Sequence, residues 1–152
     1  MTPEEKLKQL GLTLPKVPTP VANYVPFRLD GNTIYLSGQG PRKADGSVYV
    51  GKVGRDYTWE EAYQHARIVG LQLLAAAKAA ADDLGKVEVL KLLGMVNGVP
   101  EFGDHPKVIN GCSDLLVDVL GERGRHARSA VGMGSLPNNM SVEIEGVMRI
   151  VD

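Results

Sequence analysis

The sequence predicts an α+β domain built on a mixed β-sheet, and three observations predict it. Thr58 and Glu61 stand at capping-box spacing and open a long helix with one apolar face. Val142–Ile150 alternates apolar and polar side chains, the period of a half-buried strand. Along the 152 residues the order after a short N-terminal helix reads β-β-β-α-β-α-β-β, which segregates rather than alternates its elements.

Thr2, Pro3, Glu4 and Glu5 form a helix start, and Gly11 is the stop. The proline-marked stretch Leu14–Pro20 then reads as an extended connector. Tyr24–Leu29 and Thr33–Ser37 flank Asp30-Gly31-Asn32, a hairpin signal. After the loop SGQGPRKADG, Ser47–Val50 is expected as a third strand. From Thr58, Ala62, Ala66, Val69, Leu73, Ala76, Ala77, Ala80 and Leu84 share one helical face. With Gly85 as its stop, this helix covers about 26 residues, or roughly 40 Å at the standard rise. Val87–Asn97 is a long apolar strand, and a second helix runs from Asp104-His105-Pro106 to near Gly121. Two such helices cover only one face of a six-stranded sheet. The other face is left for solvent or a partner, which hints at oligomerisation.

The bulk numbers exclude several classes. Hydrophobic residues make up 43% of the chain, enough for one core without staples. A net charge of −1 gives no electrostatic reason for a nucleic-acid or anionic-membrane partner. One cysteine permits no intramolecular disulfide. No apolar run resembles a signal peptide or a membrane span, so a cytoplasmic location is the expectation.

No C-x-x-C, H-E-x-x-H, GxGxxG or P-loop pattern is present, so no metal or nucleotide site is expected. The glycines of SGQGP and GMGS read as turns and tight packing. His65 is expected on the solvated side of the long helix and His105 as a structural helix-start residue. Cys112 is expected as a small buried hydrophobe, and His126 as a border residue of any site near GERGRHARS.

The closing segment ARSAVGMGSLPNNMSVEIEGVMRI is read as a hairpin. Arg128, Ala130, Gly132 and Gly134 share one face by parity. Val131 and Met133 share the other, where they pack with Val142 and Ile144, and this pairing puts Glu143 and Glu145 on the face of Arg128. Two readings stand on the residues alone. Arg128 binds a carboxylate while a glutamate handles water, or the charges form a cross-strand or subunit-contact pair.

The pattern Tyr24…Ser37-Gly38-Gln39…Asn110…Ala127-Arg128-Ser129…Leu136-Pro137…Val142-Glu143-Ile144-Glu145 resembles the RidA/YjgF family, also called endoribonuclease L-PSP. The resemblance runs from about Tyr24 to Ile150. Residues 1–20 look like the extension of a longer-chain subgroup, within one domain spanning 1–152. The family implies a chorismate-mutase-like fold, with two helices on one sheet face and a homotrimeric barrel with clefts between subunits. It implies cofactor-free hydrolysis of enamines and imines, such as 2-aminoacrylate and 2-iminobutyrate, to 2-keto acids and ammonia. By position it implies that Arg128 binds the substrate carboxylate and Glu143 handles water. Tyr24, Ser37, Gly38, Asn110 and Ala130 would line the cleft, and Glu145 is structural. Ala130 departs from the cysteine frequent at that position, so a thiol contact is lost and substrate preference is left open. A non-catalytic trimeric carboxylate-binding module and a ribonuclease are the competing readings. The charge balance and 5% aromatic content argue against the second of these.

Overall fold

A computed structural model describes residues 1–18 and 22–152. The helix α1 (Pro3–Gln9) starts where its cap demands. Thr2 Oγ1 accepts the Glu5 N–H at 3.1 Å and the Glu5 carboxylate accepts the Thr2 N–H at 2.8 Å. Leu7 is buried in the main core, and Glu4 Oε1 accepts the Leu84 N–H at 3.1 Å. This N-terminal helix is therefore docked on the turn at Leu84 that follows the long helix. Leu14–Pro18 has no regular structure, and Thr19 and Pro20 of the expected connector lie outside the described residues.

Strands β1 (Phe27–Asp30) and β2 (Thr33–Gln39) pair antiparallel across Gly31, whose φ of +59° suits glycine. β1 starts after Pro26, which has no N–H to give a ladder. Ser47–Val50 does not form the expected strand. It makes only isolated bridges, Arg42↔Val48 and Val50↔Met140, to two different segments, so no consecutive ladder grows. The Asp45 carboxylate, accepting the Ser47 N–H at 2.9 Å, holds this stretch as a turn.

The long helix α2 (Trp59–Ala81) has its capping box at Thr58 and Glu61. It stops earlier than expected, at Asp82 in the left-handed conformation (φ +65°) rather than at Gly85. Gly85 instead sits in a short turn whose N–H bonds the Asp83 carboxylate at 2.8 Å. β3 (Val87–Val96), α3 (His105–Leu120), β4 (Ala127–Gly132) and β5 (Val142–Ile150) complete the chain.

The described residues form one five-stranded mixed sheet, in the order β1-β2-β5-β3-β4. Only β3 and β4 pair parallel. The closing segment is thus not a hairpin, because β3 lies between β4 and β5. Val131 lies opposite Met95 and does not reach Val142 or Ile144.

Helices α2 and α3 cover one face, where Ile34, Leu92, Val142, Ile144 and Met148 are fully buried. They touch through glycine and cysteine. A side chain at Gly111 would meet the Tyr63 carbonyl at 1.9 Å, and one at Gly70 would meet Cys112. Cys112 is fully buried, and desolvation pushes its thiol up to about 12. The second face is only partly covered. Met95, Leu136 and Met140 cluster there with Val48, Leu93 and Met133, while Tyr35 stays 50% exposed. Among the described residues no helix is long and apolar enough to cross a membrane.

His65 corrects an expectation. It is 5% exposed, not solvated, because loop residues fold over the polar side of α2. Its ring stacks on Tyr49 at 4.2 Å, meets Tyr57 edge-on at 4.6 Å, and bonds Ser141 Oγ at 2.7 Å. Burial lowers its pKa to about 4, with Glu61 opposing and Lys43 assisting. The unfolded chain then binds the extra proton between about pH 6.5 and about 4, so stability falls as pH drops through that window. The slope from this one group is at most about 1.4 kcal/mol per pH unit. Urea titrations over that range should show a flatter profile for His65→Gln than for the wild type.

Candidate functional site

The sequence-predicted site residues fall into two groups. Tyr24, Ser37, Gly38 and Glu143 line one cavity of about 530 Å³, together with Arg42 and Met140. Asn110 and Arg128 line another, of about 260 Å³, with Ser113, Val117, Arg125 and His126.

The first group is set by an irregularity in β2. Its pairing with β5 shifts register between Leu36 and Gln39, so Ser37 and Gly38 leave the regular ladder. Such bulges re-aim side chains beside sites. Ser37 Oγ donates to the Val25 carbonyl at 2.6 Å and the Ser37 N–H donates to the Pro26 carbonyl at 3.0 Å, which ties the Tyr24 segment to the strand. The Glu143 carboxylate lies across Gly38, where an added Cβ would sit 2.3 Å from Oε2. Gly38 is therefore the space that Glu143 occupies. Burial, and then the neighbouring Glu145, raise the Glu143 pKa above the usual carboxylate range. Among the described residues no hydrogen bond or ion pair engages its side chain. A half-buried carboxylate in that state is suited to take a proton from water.

The second group is built on α3. Asn110 and Ser113 are three residues apart and share a helical face. Arg128 Nη1 donates to Ser113 Oγ at 2.9 Å and Nη2 donates to the Pro106 carbonyl at 3.4 Å. His126 Nε2 lies 2.9 Å from Ser113 Oγ and Nδ1 lies 2.6 Å from the Gly124 carbonyl. Burial lowers the His126 pKa, with Arg128 adding to the effect and the Gly124 bond opposing it.

The two groups lie on opposite faces of the sheet. Leu92 is in register with Arg128, and Met95 with Glu143. Registered neighbours point the same way, and Leu92 and Met95 are an odd number apart on one strand. Arg128 therefore faces the helices, with Ala130, Gly94 and Gly132, while Glu143 and Glu145 face the open side. This overturns the shared face expected from the hairpin. It also removes the intrachain Arg128–Glu143 pair as a structural explanation. The cross-strand arginine–glutamate pair of this sheet is Arg149–Glu88, at 3.0 Å. Ala130 packs against the core beside Gly94 and lines neither cavity.

Sequence reading did not single out Ser113. Its signal was the three-residue spacing from Asn110.

A family model described as "YjgF/chorismate mutase-like, putative endoribonuclease" matches residues 4–144. The solved structure of Atu1372, a protein "with unknown function" from Agrobacterium tumefaciens, is 49% identical. It covers 98% of this chain and 93% of its own, with a TM-score of 0.90. Protein TCP17 of Trypanosoma cruzi is 38% identical over 95% of this chain and 91% of its own length. A 2-iminobutanoate/2-iminopropanoate deaminase of Dermatophagoides farinae is 29% identical over 91% of this chain and 94% of its own.

Proposed function

Because the chain belongs to the YjgF/chorismate mutase-like family, we propose that it hydrolyses enamine and imine intermediates of the 2-aminoacrylate and 2-iminobutyrate type. The products are 2-keto acids and ammonia. The observation that carries this reading is the separation of Arg128 from Glu143. The two charges do not neutralise each other within a chain, so each is left for something else. A site needing both takes Arg128 from one chain and Glu143 from the next, as in a homotrimer with clefts between subunits. The half-covered sheet face with Tyr35 and Val131 exposed supports such packing, and the similarity to the mite deaminase supports the chemistry.

In this mechanism the Arg128 guanidinium holds the substrate carboxylate through its planar fork. Glu143 of the neighbouring chain orients a water and takes its proton as the oxygen adds to the imine carbon. The proton passes to the nitrogen, giving a carbinolamine; its hydroxyl proton then reaches the amine nitrogen as the carbon–nitrogen bond breaks, leaving a 2-keto acid and ammonia. An imine carbon is already electrophilic, so orientation and one positioned water suffice. Ser37, Gly38 and Tyr24 shape the Glu143 side of the cleft.

Freshly generated 2-iminobutyrate should release ammonia faster with protein than without it. The protein should show no salt-dependent retention on RNA. No acceleration over several amino-acid-derived imines, with 2-ketobutyrate still bound, would favour a carboxylate-binding module instead.

A further inference from the structure

We propose that Ser113 and His126 are positioning residues for Arg128, forming a one-way chain of hydrogen bonds that fixes how its guanidinium is presented. This inference rests on the reading of Arg128 as the carboxylate anchor.

The direction of the chain follows from chemistry alone. The Gly124 carbonyl can only accept, so His126 Nδ1, 2.6 Å away, carries the ring proton. In the neutral ring Nε2 is then an acceptor, and among the described residues the only donor it meets is the Ser113 hydroxyl at 2.9 Å. Having given its single proton to His126, Ser113 Oγ presents only lone pairs to Arg128. It therefore accepts from Nη1 at 2.9 Å and cannot compete as a donor. Among the described residues nothing else engages the guanidinium, which keeps Nε–H and one N–H on each terminal nitrogen for a carboxylate.

The far end of the chain is rigid. A side chain at Gly124 would lie 2.2 Å from the Leu116 carbonyl, so this turn rests directly on α3. Ser113 stands on the same helix. Both ends of the relay are thus referred to one rigid element, and Arg128 is held from α3 rather than by its own strand. An arginine aimed in advance loses less side-chain freedom when it binds.

Arg128 contacts the carboxylate in both bound substrate and transition state, so loosening it removes uniform binding. Ser113→Ala should raise KM for 2-iminobutyrate and Kd for 2-ketobutyrate by roughly ten- to hundredfold, the scale of one lost hydrogen bond to a charged group. Its kcat should stay within about twofold. Ser113→Thr keeps the hydroxyl and should recover most of the affinity. Long-range proton–nitrogen spectra should show His126 protonated at Nδ1 and bare at Nε2, with the signal identified by its loss in His126→Phe. Wild-type affinity in Ser113→Ala, a threonine variant as weak as the alanine one, or an Nε2–H tautomer would each overturn the proposal. If the wild-type protein neither releases ammonia nor binds keto acid, the functional reading fails on its own. The His126 tautomer then still decides whether the relay exists.

Discussion

Glu143→Gln should cut single-turnover ammonia release by roughly 10²–10⁴, the usual scale of general acid–base catalysis. Glutamine keeps the shape and most of the hydrogen bonding but removes the charge and the proton acceptor. It should also still fit over Gly38, so the fold should persist. Affinity for 2-ketobutyrate should change far less, because the carboxylate contact lies with Arg128. Calorimetric titration and single-turnover kinetics on the same preparation separate three cases. If Glu143 only orients a neighbouring Arg128, affinity falls together with turnover. If the protein is a binding module, neither variant exceeds spontaneous hydrolysis. Undiminished turnover in a folded Glu143→Gln assembly refutes the role.

Arg128→Ala should weaken keto-acid binding by about thirtyfold or more, since losing one partner of a desolvated charge pair costs roughly 2–5 kcal/mol. Lysine should rescue poorly, because a point charge does not reproduce the fork. The opposite-face placement adds a sharper test. Arg128→Ala chains still carry Glu143, and Glu143→Gln chains still carry Arg128. Refolded together at equal amounts, they should regain about a quarter of wild-type sites if a cyclic trimer assembles at random. Each mixed trimer would then contain one cleft with both residues intact. A site made within one chain would regain nothing, and that outcome would end the inter-subunit reading.

Both helix starts were legible in the sequence because a cap is a local event. Thr2 with Glu5 and Thr58 with Glu61 each settle a helix start within four residues. The alternation of β5 was legible for the same reason, and Val142, Ile144 and Met148 are buried as it demands. The β1–β2 hairpin was legible from its Asp30-Gly31-Asn32 turn, and what failed was the pairing expected of the closing segment. Parity orders the side chains within a strand, but relating two strands requires knowing which ones pair. Arg128 and Glu143 lie on segments close in sequence, which invites a hairpin, yet β3 intervenes between them. The arrangement of the candidate site residues was thus not legible in the sequence. His65 failed differently. Its helical face is polar, and only the distant Tyr49, Tyr57 and Ser141 bury it.

The methionine cluster on the open face carries a consequence for oxidative chemistry. Met95, Met133 and Met140 gather there, and Met140 also lines the cavity that holds Glu143. Its sulfur sits over Gly40, where even an added Cβ would lie 2.2 Å away. Conversion to the sulfoxide adds a polar oxygen to a side chain packed in that gap, beside Leu136 and Met95. Met140 lies on the segment joining β4 to β5, which also supplies Pro137 and Asn138 to the wall of the Glu143 cavity. An oxidative change at Met140 would therefore be felt in this cavity, while the one thiol, Cys112, lies buried between α2 and α3.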